Sequence, residues 1–194
     1  MRSGRRQDAA DSPVREDGGA QWLVLVYKIP AEPTRLRAGV WRKIKNLGAV
    51  YLQNAVAALP YSPASERALR LLRNEITEMG GTAFLMRSDV LSGHAEAVDA
   101  FNAARDAEYE EIVDKCQDFL KEIEKEEHAE HFTFAELEEN DEDLTKLRTW
   151  LGKVEARDVL GASGRAAAKE AVQGCEQILE GYAARVYAEE EGAH

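Results

Sequence analysis

The arrangement of apolar and polar residues divides this 194-residue chain into two parts with different periodicity. Between Trp22 and Arg87, short apolar runs rich in β-branched and aromatic residues alternate with segments whose apolar residues recur every three or four positions. The first pattern is typical of strands with a buried face, and the second is typical of amphipathic helices. From about Glu96 onward only the helical period continues. The pattern therefore predicts a strand-and-helix half followed by a helical half.

The first half has the order strand, helix, strand, strand, helix, strand. The predicted strands are 22–29, 49–53, 55–59 and 82–87, and the predicted helices are 34–47 and 63–79. Asn54 tolerates the left-handed conformation of a tight turn, so we expect a hairpin there. Thr34 and Ser62 are candidate helix caps. Two right-handed β-α-β units give an antiparallel sheet with both helices on one face. The prediction is an α+β fold with a ferredoxin-like βαββαβ domain at residues 21–92.

Residues 93–190 are predicted to form an acidic α-helical domain of three helices. Thr133 and Glu136 have the spacing of a capping box, which begins the second helix, and the glycines of 161–164 separate it from the third. The apolar stripes of these helices must pack on each other, on the sheet or on a partner chain. Residues 1–20 lack periodicity and are expected to be a disordered N-terminal arm. The apolar seam of the first helix consists of Tyr109, Ile112, Cys116, Phe119 and Ile123.

Charge separates the two halves as clearly as periodicity does. The chain carries a net charge of −11, yet residues 22–87 hold ten basic and four acidic residues, whereas residues 94–194 hold eleven and twenty-seven. Such a division suggests different partners for each half, although long solvated helices also favour glutamate. The longest apolar run, Trp22–Tyr27, is too short to span a bilayer, and two distant cysteines form no CxxC pair. We expect a cytoplasmic protein without membrane contact.

Catalytic and metal-binding arrangements are poorly supported. His128 and His131 lie among glutamates at a spacing that could hold a metal, but no third ligand is evident, and a solvated acidic helix end explains them. Cys116 and Cys175 both fall on apolar helical faces, where thiols are inert. The 161–164 segment is neither a Walker loop nor a GxGxxG turn, and Ser163 is expected to cap the next helix. We therefore predict no catalytic residue, no metal site and no cofactor.

The basic residues of the two predicted helices in the first half are the main functional candidates. A solvent-facing basic helix can neutralise phosphates or pair with oxyanions. A plain solvated face without a ligand explains the same pattern, and the overall acidity argues against strong nonspecific nucleic-acid binding. The candidate DNA- or oxyanion-binding residues are Arg35, Arg37, Arg42 and Lys45 in the first helix, and Arg67, Arg70 and Arg73 in the second.

A family resemblance rests on six blocks of sequence, 22–30, 35–48, 49–60, 132–139, 144–150 and 156–161. Together these blocks resemble the N-terminal domain of ChrB-type chromate resistance proteins. The blocks occur in order across about residues 20–190, nearly the whole predicted ordered chain. This resemblance implies a chromate-responsive regulator of chromate efflux genes. The first half is also similar to the central domain of PaaX-type repressors and, more distantly, to small CRISPR-associated nucleases with ferredoxin-like folds.

Three departures from these families limit what the resemblance implies. The nuclease-like proteins place an acidic residue at the end of the first strand to hold a metal, and Lys28 stands there in this chain. PaaX-type repressors carry a winged helix before this domain, but here only some twenty disordered-looking residues precede the first strand. ChrB proteins also continue into a second domain, which we do not expect within this sequence. We therefore expect no carboxylate-metal nuclease site and no winged-helix module.

Three functional hypotheses follow. The first is a dimeric, DNA-binding transcriptional regulator of the ChrB type, in which chromate or a similar oxyanion competes for the same arginines. The second is a module without DNA binding, in which the open sheet face and the acidic helices form a homodimer or bind a partner protein. The third is an oxyanion-handling enzyme, for which no flavin or nicotinamide motif is present.

Overall fold

The computed structural model describes residues 21–192, so the predicted arm at 1–20 lies outside the described residues. The fold is mixed α+β, with one four-stranded antiparallel sheet and five helices in the described range. The chain divides into two compact units, the first ending at Phe101 and the second beginning at Asn102. The elements are β1 (Trp22–Lys28), α1 (Thr34–Asn46), β2 (Val50–Gln53), β3 (Val56–Pro60), α2 (Pro63–Glu78), β4 (Thr82–Ser88), α3 (His94–His128), α4 (Phe134–Arg157) and α5 (Arg165–Gly192).

The strands of the first unit are arranged in the order β2-β3-β1-β4, and every neighbouring pair is antiparallel. β1 is the most apolar strand and lies in the interior of the sheet, where both of its edges are hydrogen-bonded. β2 and β4 are therefore the edge strands. Connections through α1 and α2 each skip one strand position, since β3 separates β1 from β2 and β1 separates β3 from β4.

One face of the sheet is covered by the two helices. The register places Leu23 opposite Leu59 and Leu25 opposite Ala57, and all four side chains are buried. α2 packs against β1 and β4, and α1 lies beside α2. Burial of these apolar side chains, at about 25 cal/mol per Å² removed from water, is the main stabilisation of the unit. The helices contribute Val40, Ile44, Leu69, Leu72 and Ile76 to this core.

The opposite face is only partly covered. Trp22 packs edge-to-face against Phe101 of α3, with 6.1 Å between ring centroids, and both side chains are buried. The first turns of α3 therefore belong to the sheet unit, and the unit boundary falls inside the helix rather than before it. Towards β4 the same face exposes Phe84 and Met86.

Two local expectations about turns and caps were wrong in detail. The hairpin between β2 and β3 forms, but the residue with positive φ is Ala55, at 62°, rather than Asn54. Thr34 begins α1 instead of capping it, because the cap position is Pro33 and no side-chain cap bond forms. The expected cap of α2 is confirmed, since the Ser62 hydroxyl accepts a hydrogen bond from the Ser65 amide at 3.0 Å. Gly81 is required before β4, because a Cβ there would lie 2.6 Å from the Lys28 carbonyl oxygen.

The second unit is built from the remainder of α3 together with α4 and α5, whose apolar stripes meet in one internal core. The seam predicted for α3 is part of that core, and Ile112 and Phe119 are buried within the chain. Thr133 caps α4 as expected, accepting from the Glu136 amide at 3.3 Å. Ser163 does not cap α5 with its own side chain. Its hydroxyl donates to Asp106 of α3, which also accepts the Gly164 amide at 2.7 Å.

No helix in the described part of the chain is both long enough and apolar enough to cross a lipid bilayer.

Candidate functional site

The first candidate surface is the outer side of α1. Val40 and Ile44 are buried against the rest of the unit, and helical geometry turns the intervening positions outward. Trp41 is 51% exposed, and Lys45 Nζ lies 5.8 Å from the centre of its ring. This half-exposed aromatic side chain beside a cation is the kind of surface that can contact a nucleic acid or another protein. The predicted binding residues of this helix, Arg35, Arg37, Arg42 and Lys45, are all exposed.

A cation that sequence reasoning omitted joins α1 to α2. Lys43 forms an ion pair with Glu75 of α2. The two residues are 32 positions apart, so no helical spacing rule could have paired them. Lys43 therefore links α1 to α2 through an ion pair, whereas the four predicted α1 cations form no ion pair with a described acidic residue.

The three arginines predicted on α2 differ in their surroundings. Arg67 is exposed, whereas Arg70 is paired with Glu66, its Nη2 lying 2.6 Å from Oε1. Arg73 donates through Nε to the Ala83 carbonyl oxygen of β4 at 3.3 Å, and through Nη1 to Asn74 at 3.2 Å. Arg70 and Arg73 therefore already have partners within the unit, whereas Arg67 forms no ion pair with a described acidic residue.

Arg87 of β4 completes the network around Glu66. Its guanidinium stacks over the Tyr61 ring at 3.7 Å, and its Nη2 lies 2.5 Å from Glu66 Oε2. The hydrogen bonds from Arg87 and then Arg70 hold the pKa of Glu66 below its usual range, and the bond to Glu66 raises the pKa of Arg87. Glu66 therefore stays ionised and balances two arginines. This partition leaves α1, with Arg67, as the less neutralised basic surface of the first unit.

The groups considered for metal or redox chemistry do not form a site among the described residues. No group of three or more histidine, cysteine or acidic residues has metal-binding geometry in that part of the chain. His128 Nδ1 is 2.7 Å from the Glu124 carbonyl oxygen within its own helix. Cys116 and Cys175 are both buried in the helical core, and burial raises the pKa of both thiols, that of Cys175 to about 12. Neither is a reactive thiolate near neutral pH.

Comparison with known proteins places these residues in a family. The family described as "Protein ChrB, N-terminal" matches residues 37–193, about four fifths of the chain. The chain belongs to the ChrB N-terminal family. The match includes α1 from its second turn, all of α2 and the helical unit, so most of the basic part and the described acidic helices lie within one ChrB-type region. β1 and Arg35 precede the matched residues.

A curated relative agrees with the family assignment. "Protein ChrB" of Cupriavidus metallidurans is 26% identical over 100 residues, which is 52% of this chain and 28% of that protein. The aligned region thus spans little more than a quarter of the relative's length. No solved structure matches the chain.

The second candidate surface is a depression in the helical unit, between α3 and α4. This depression has a volume of about 510 Å³, an acidic rim and an apolar floor that includes Phe119, Leu147 and Trp150. At one end, Asn140 Nδ2 donates to Oε2 of the buried Glu126 at 2.8 Å. Burial raises the pKa of Glu126, partly offset by the hydrogen bond from Asn140, and the nearby Glu136 raises it further. The carboxylate is therefore held at an energetic cost at neutral pH.

Replacing this glutamate with glutamine is expected to stabilise the chain at pH 7. The pKa of Glu126 is raised, so the folded state binds this proton more readily than the unfolded state. The contribution of Glu126 to the free energy of unfolding therefore falls as pH rises from about 4.5 through the folded-state pKa. Glu126→Gln removes the buried charge and keeps an acceptor for Asn140. The gain should be largest at neutral pH and vanish below the ordinary glutamate pKa, as measured by urea unfolding at several pH values. Glu138→Gln, at a surface position of α4, is the control, and an equal pH dependence in both variants would contradict the assignment.

Proposed function

We propose that this chain is a cytoplasmic, ChrB-type transcriptional regulator of chromate resistance that binds DNA as a homodimer. Membership of the ChrB N-terminal family supports the link to chromate resistance. The observation that best supports DNA binding is the composition of the outer side of α1. Four cations on this side form no ion pair with a described acidic residue, and a half-exposed tryptophan lies among them. Such a surface can neutralise successive phosphates along a backbone.

The proposed contact residues form two groups. The primary set consists of Arg35, Arg37, Arg42 and Lys45, because these cations form no ion pair with an acidic residue in the described chain. Arg67 extends this set from α2. Arg70 and Arg73 would contribute less, because each would have to give up an existing bond to Glu66 or to the Ala83 carbonyl before it reached a phosphate.

We further propose that residues 21–92 form a ferredoxin-like domain. The order strand, helix, strand, strand, helix, strand supports this, as does the position of β1 between β3 and β4 with antiparallel neighbours. In this arrangement both helices lie on one face of the sheet. The exposed cations of α1 and Arg67 of α2 can then contact one ligand, while the opposite face remains available for association.

Chromate, or an oxyanion of the same shape and charge, would compete with DNA for the same cations. Guanidinium pairs bidentately with tetrahedral oxyanions as it does with backbone phosphates, so one set of arginines can serve both ligands. Of the primary set, Arg35 and Arg42 are two helical turns apart and lie on the same side of α1, so they offer two guanidinium groups to one face. Binding of the anion there would lower the affinity for DNA.

Loss of the two aligned α1 arginines is expected to weaken DNA binding and to reduce its dependence on salt. For Arg35→Ala/Arg42→Ala, the slope of log K against log salt should fall by about 0.9 for each phosphate contact removed. Fluorescence anisotropy with a labelled duplex from upstream of the gene, between 50 and 200 mM salt, measures both the affinity and its salt slope. Arg70→Ala is the matched control, because Arg70 is already paired with Glu66 and should change the slope little.

Two outcomes would count against this proposal. No binding by the unmodified chain at low salt would remove DNA as the ligand. Equal loss in Arg70→Ala and in the α1 double variant would remove α1 as the contact surface. Adding chromate to the complex, with equimolar sulfate as the parallel arm, separates specific from general oxyanion competition, because both anions are tetrahedral dianions.

A protein-interaction module without DNA binding is the second candidate function. Exposed Phe84 and Met86 on the sheet support it, since large apolar side chains next to one another on a surface often mark an association site. Its discriminating result is a dimer, or a complex with a partner protein, that forms normally while DNA binding is absent at every salt concentration.

A further inference from the structure

The outer edge of β4 is not paired with another strand among the described residues, and it carries large exposed apolar side chains. β4 is a seven-residue edge strand, bonded to β1 on one side only. Phe84 is 67% exposed and Met86 is 45% exposed, and a depression of about 460 Å³ runs along the strand between Val26 and Arg73. A long edge strand of this kind readily pairs with another strand unless it is protected.

The hydrogen bonds of the sheet identify which β4 residues face outward. The Tyr27 amide donates to the Ala55 carbonyl oxygen at 3.0 Å, so Tyr27 faces β3, and by alternation Val24 and Val26 face β4. Their register partners, Met86 and Phe84, are therefore the residues that bond to β1.

The backbone groups of the remaining β4 residues point away from the sheet. These are Ala83, Leu85 and Arg87, which alternate with the two bonded residues. An independent contact agrees, because the Ala83 carbonyl oxygen accepts a hydrogen bond from Arg73 Nε at 3.3 Å rather than from β1. That carbonyl retains a second lone pair, so Arg73 need not leave for another strand to bond there.

We propose that two copies of this chain pair through their β4 edges, antiparallel about a two-fold axis at Leu85. This inference rests on the homodimer in the proposed function and names the surface that forms it. Leu85 of each copy would exchange both backbone hydrogen bonds with Leu85 of the other, and Ala83 would bond the partner's Arg87. The result is a continuous eight-stranded sheet with closed symmetry, in which no further copy can be added at β4.

Side-chain pairing across this axis favours a second copy over a different strand. In the two-fold register Phe84 lies opposite the partner's Met86 on the open face, and aromatic rings and thioethers attract one another. The stretch from Thr82 to Met86 contains no ionisable side chain, so it offers a charged peptide no complementary charge. Ala83, the smallest residue of the strand, lies opposite the longest, the partner's Arg87, which leaves room for that side chain.

The size of the contact sets its strength. A seven-residue edge is about 23 Å long. A stable interface buries about 800 Å² on each partner, and two large exposed side chains with a strand edge supply only part of that. The pair should therefore be a reversible dimer that dissociates on dilution, with a dissociation constant of roughly micromolar order.

Charge variants at the two exposed positions test both the surface and the register. Sedimentation equilibrium of the full chain over a range of concentrations measures the dimer. Phe84→Glu/Met86→Glu places like charges opposite each other and should weaken the dimer about tenfold or more. Phe84→Lys/Met86→Glu places opposite charges there and should recover most of that loss. Leu71→Glu, 66% exposed on α2, is the control and should leave the dimer unchanged.

Each contrary outcome overturns a different statement. Equal weakening by both double variants would replace edge pairing with face-to-face stacking of the two sheets. A dimer unaffected by either would place the interface elsewhere while keeping the dimeric state. A chain that is monomeric at every concentration would remove both the edge pairing and the dimer. DNA binding measured on the same samples tests the proposed function independently, since the proposed DNA contacts lie on α1 and the substitutions lie on β4.

Discussion

Replacing Ile112 with alanine is expected to lower the free energy of unfolding of the helical unit by about 2–5 kcal/mol. Ile112 is 0% exposed and lies in the internal core that α3, α4 and α5 share. The substitution removes three carbon atoms from a packed interior, so it loses both the transfer free energy and the contacts around the resulting cavity. Urea unfolding followed by circular dichroism at 222 nm reports this unit, because most of its residues are helical.

The same substitution at an exposed position of the same unit is the control. Ile178 lies on α5 and is 47% exposed, so Ile178→Ala should change the unfolding free energy by less than about 1 kcal/mol. Similar losses in the two variants would mean that the seam of α3 does not pack inside the chain. The comparison also tests an alternative left open by the sequence, in which the seam packs on a partner. In that case Ile112→Ala would dissociate an oligomer before it destabilised the monomer.

The strands and helices could be predicted because each is specified by nearby residues. The continuous apolar run of β1 indicates a strand bonded on both sides, and Ser62 followed by Pro63 marks the start of α2. The hairpin was predicted from Asn54, but the left-handed residue is Ala55. A register irregularity in β2, between Tyr51 and Gln53, accompanies this turn. Such an irregularity depends on how the two strands pair, so a single-residue preference could not reveal it.

The division of roles among the arginines was only partly predictable. Glu66 and Arg70 have the favourable i, i+4 order, so their ion pair could have been anticipated from the sequence. The third member, Arg87, is 21 residues from Glu66, and the bond from Arg73 to the Ala83 carbonyl oxygen joins a helix to a strand edge. These contacts depend on how α2 lies against β4. Exposure on a helical wheel therefore could not separate a cation available for a ligand from one used within the fold.

The boundary between the two units shows the same limitation. Periodicity predicted a helix from about Glu96, and nothing in that pattern distinguishes the turns before Phe101 from those after it. The distinction arises from Trp22, whose ring needs a partner on the face that α1 and α2 do not cover. A single continuous helix thus contributes to two cores, and its sequence shows only that both segments are amphipathic.

Replacing Asp158 with alanine is expected to cost about 3–5 kcal/mol, the second large effect on the helical unit. The buried carboxylate accepts the Gly161 and Ala162 amides through Oδ1, at 3.0 and 2.9 Å, and the Tyr109 hydroxyl through Oδ2, at 3.1 Å. Alanine leaves three donors without this acceptor at the turn between α4 and α5. Each such buried donor costs about 1–3 kcal/mol. Thermal unfolding of the variant and the parent, at one protein concentration, measures the loss.

Two milder substitutions separate the loss of acceptors from the loss of charge. Asp158→Asn keeps one acceptor oxygen but removes the carboxylate charge that favours the buried Arg105 guanidinium, whereas Tyr109→Phe removes one donor and leaves the charge. Burial and the neighbouring Asp158 raise the pKa of Tyr109, so its hydroxyl remains protonated and donates throughout the accessible pH range. If hydrogen bonding dominates, Tyr109→Phe should cost least and Asp158→Ala most, with Asp158→Asn between them. Equal losses for Asn and Ala would instead assign the stabilisation to the charge, because the retained oxygen would then contribute nothing measurable.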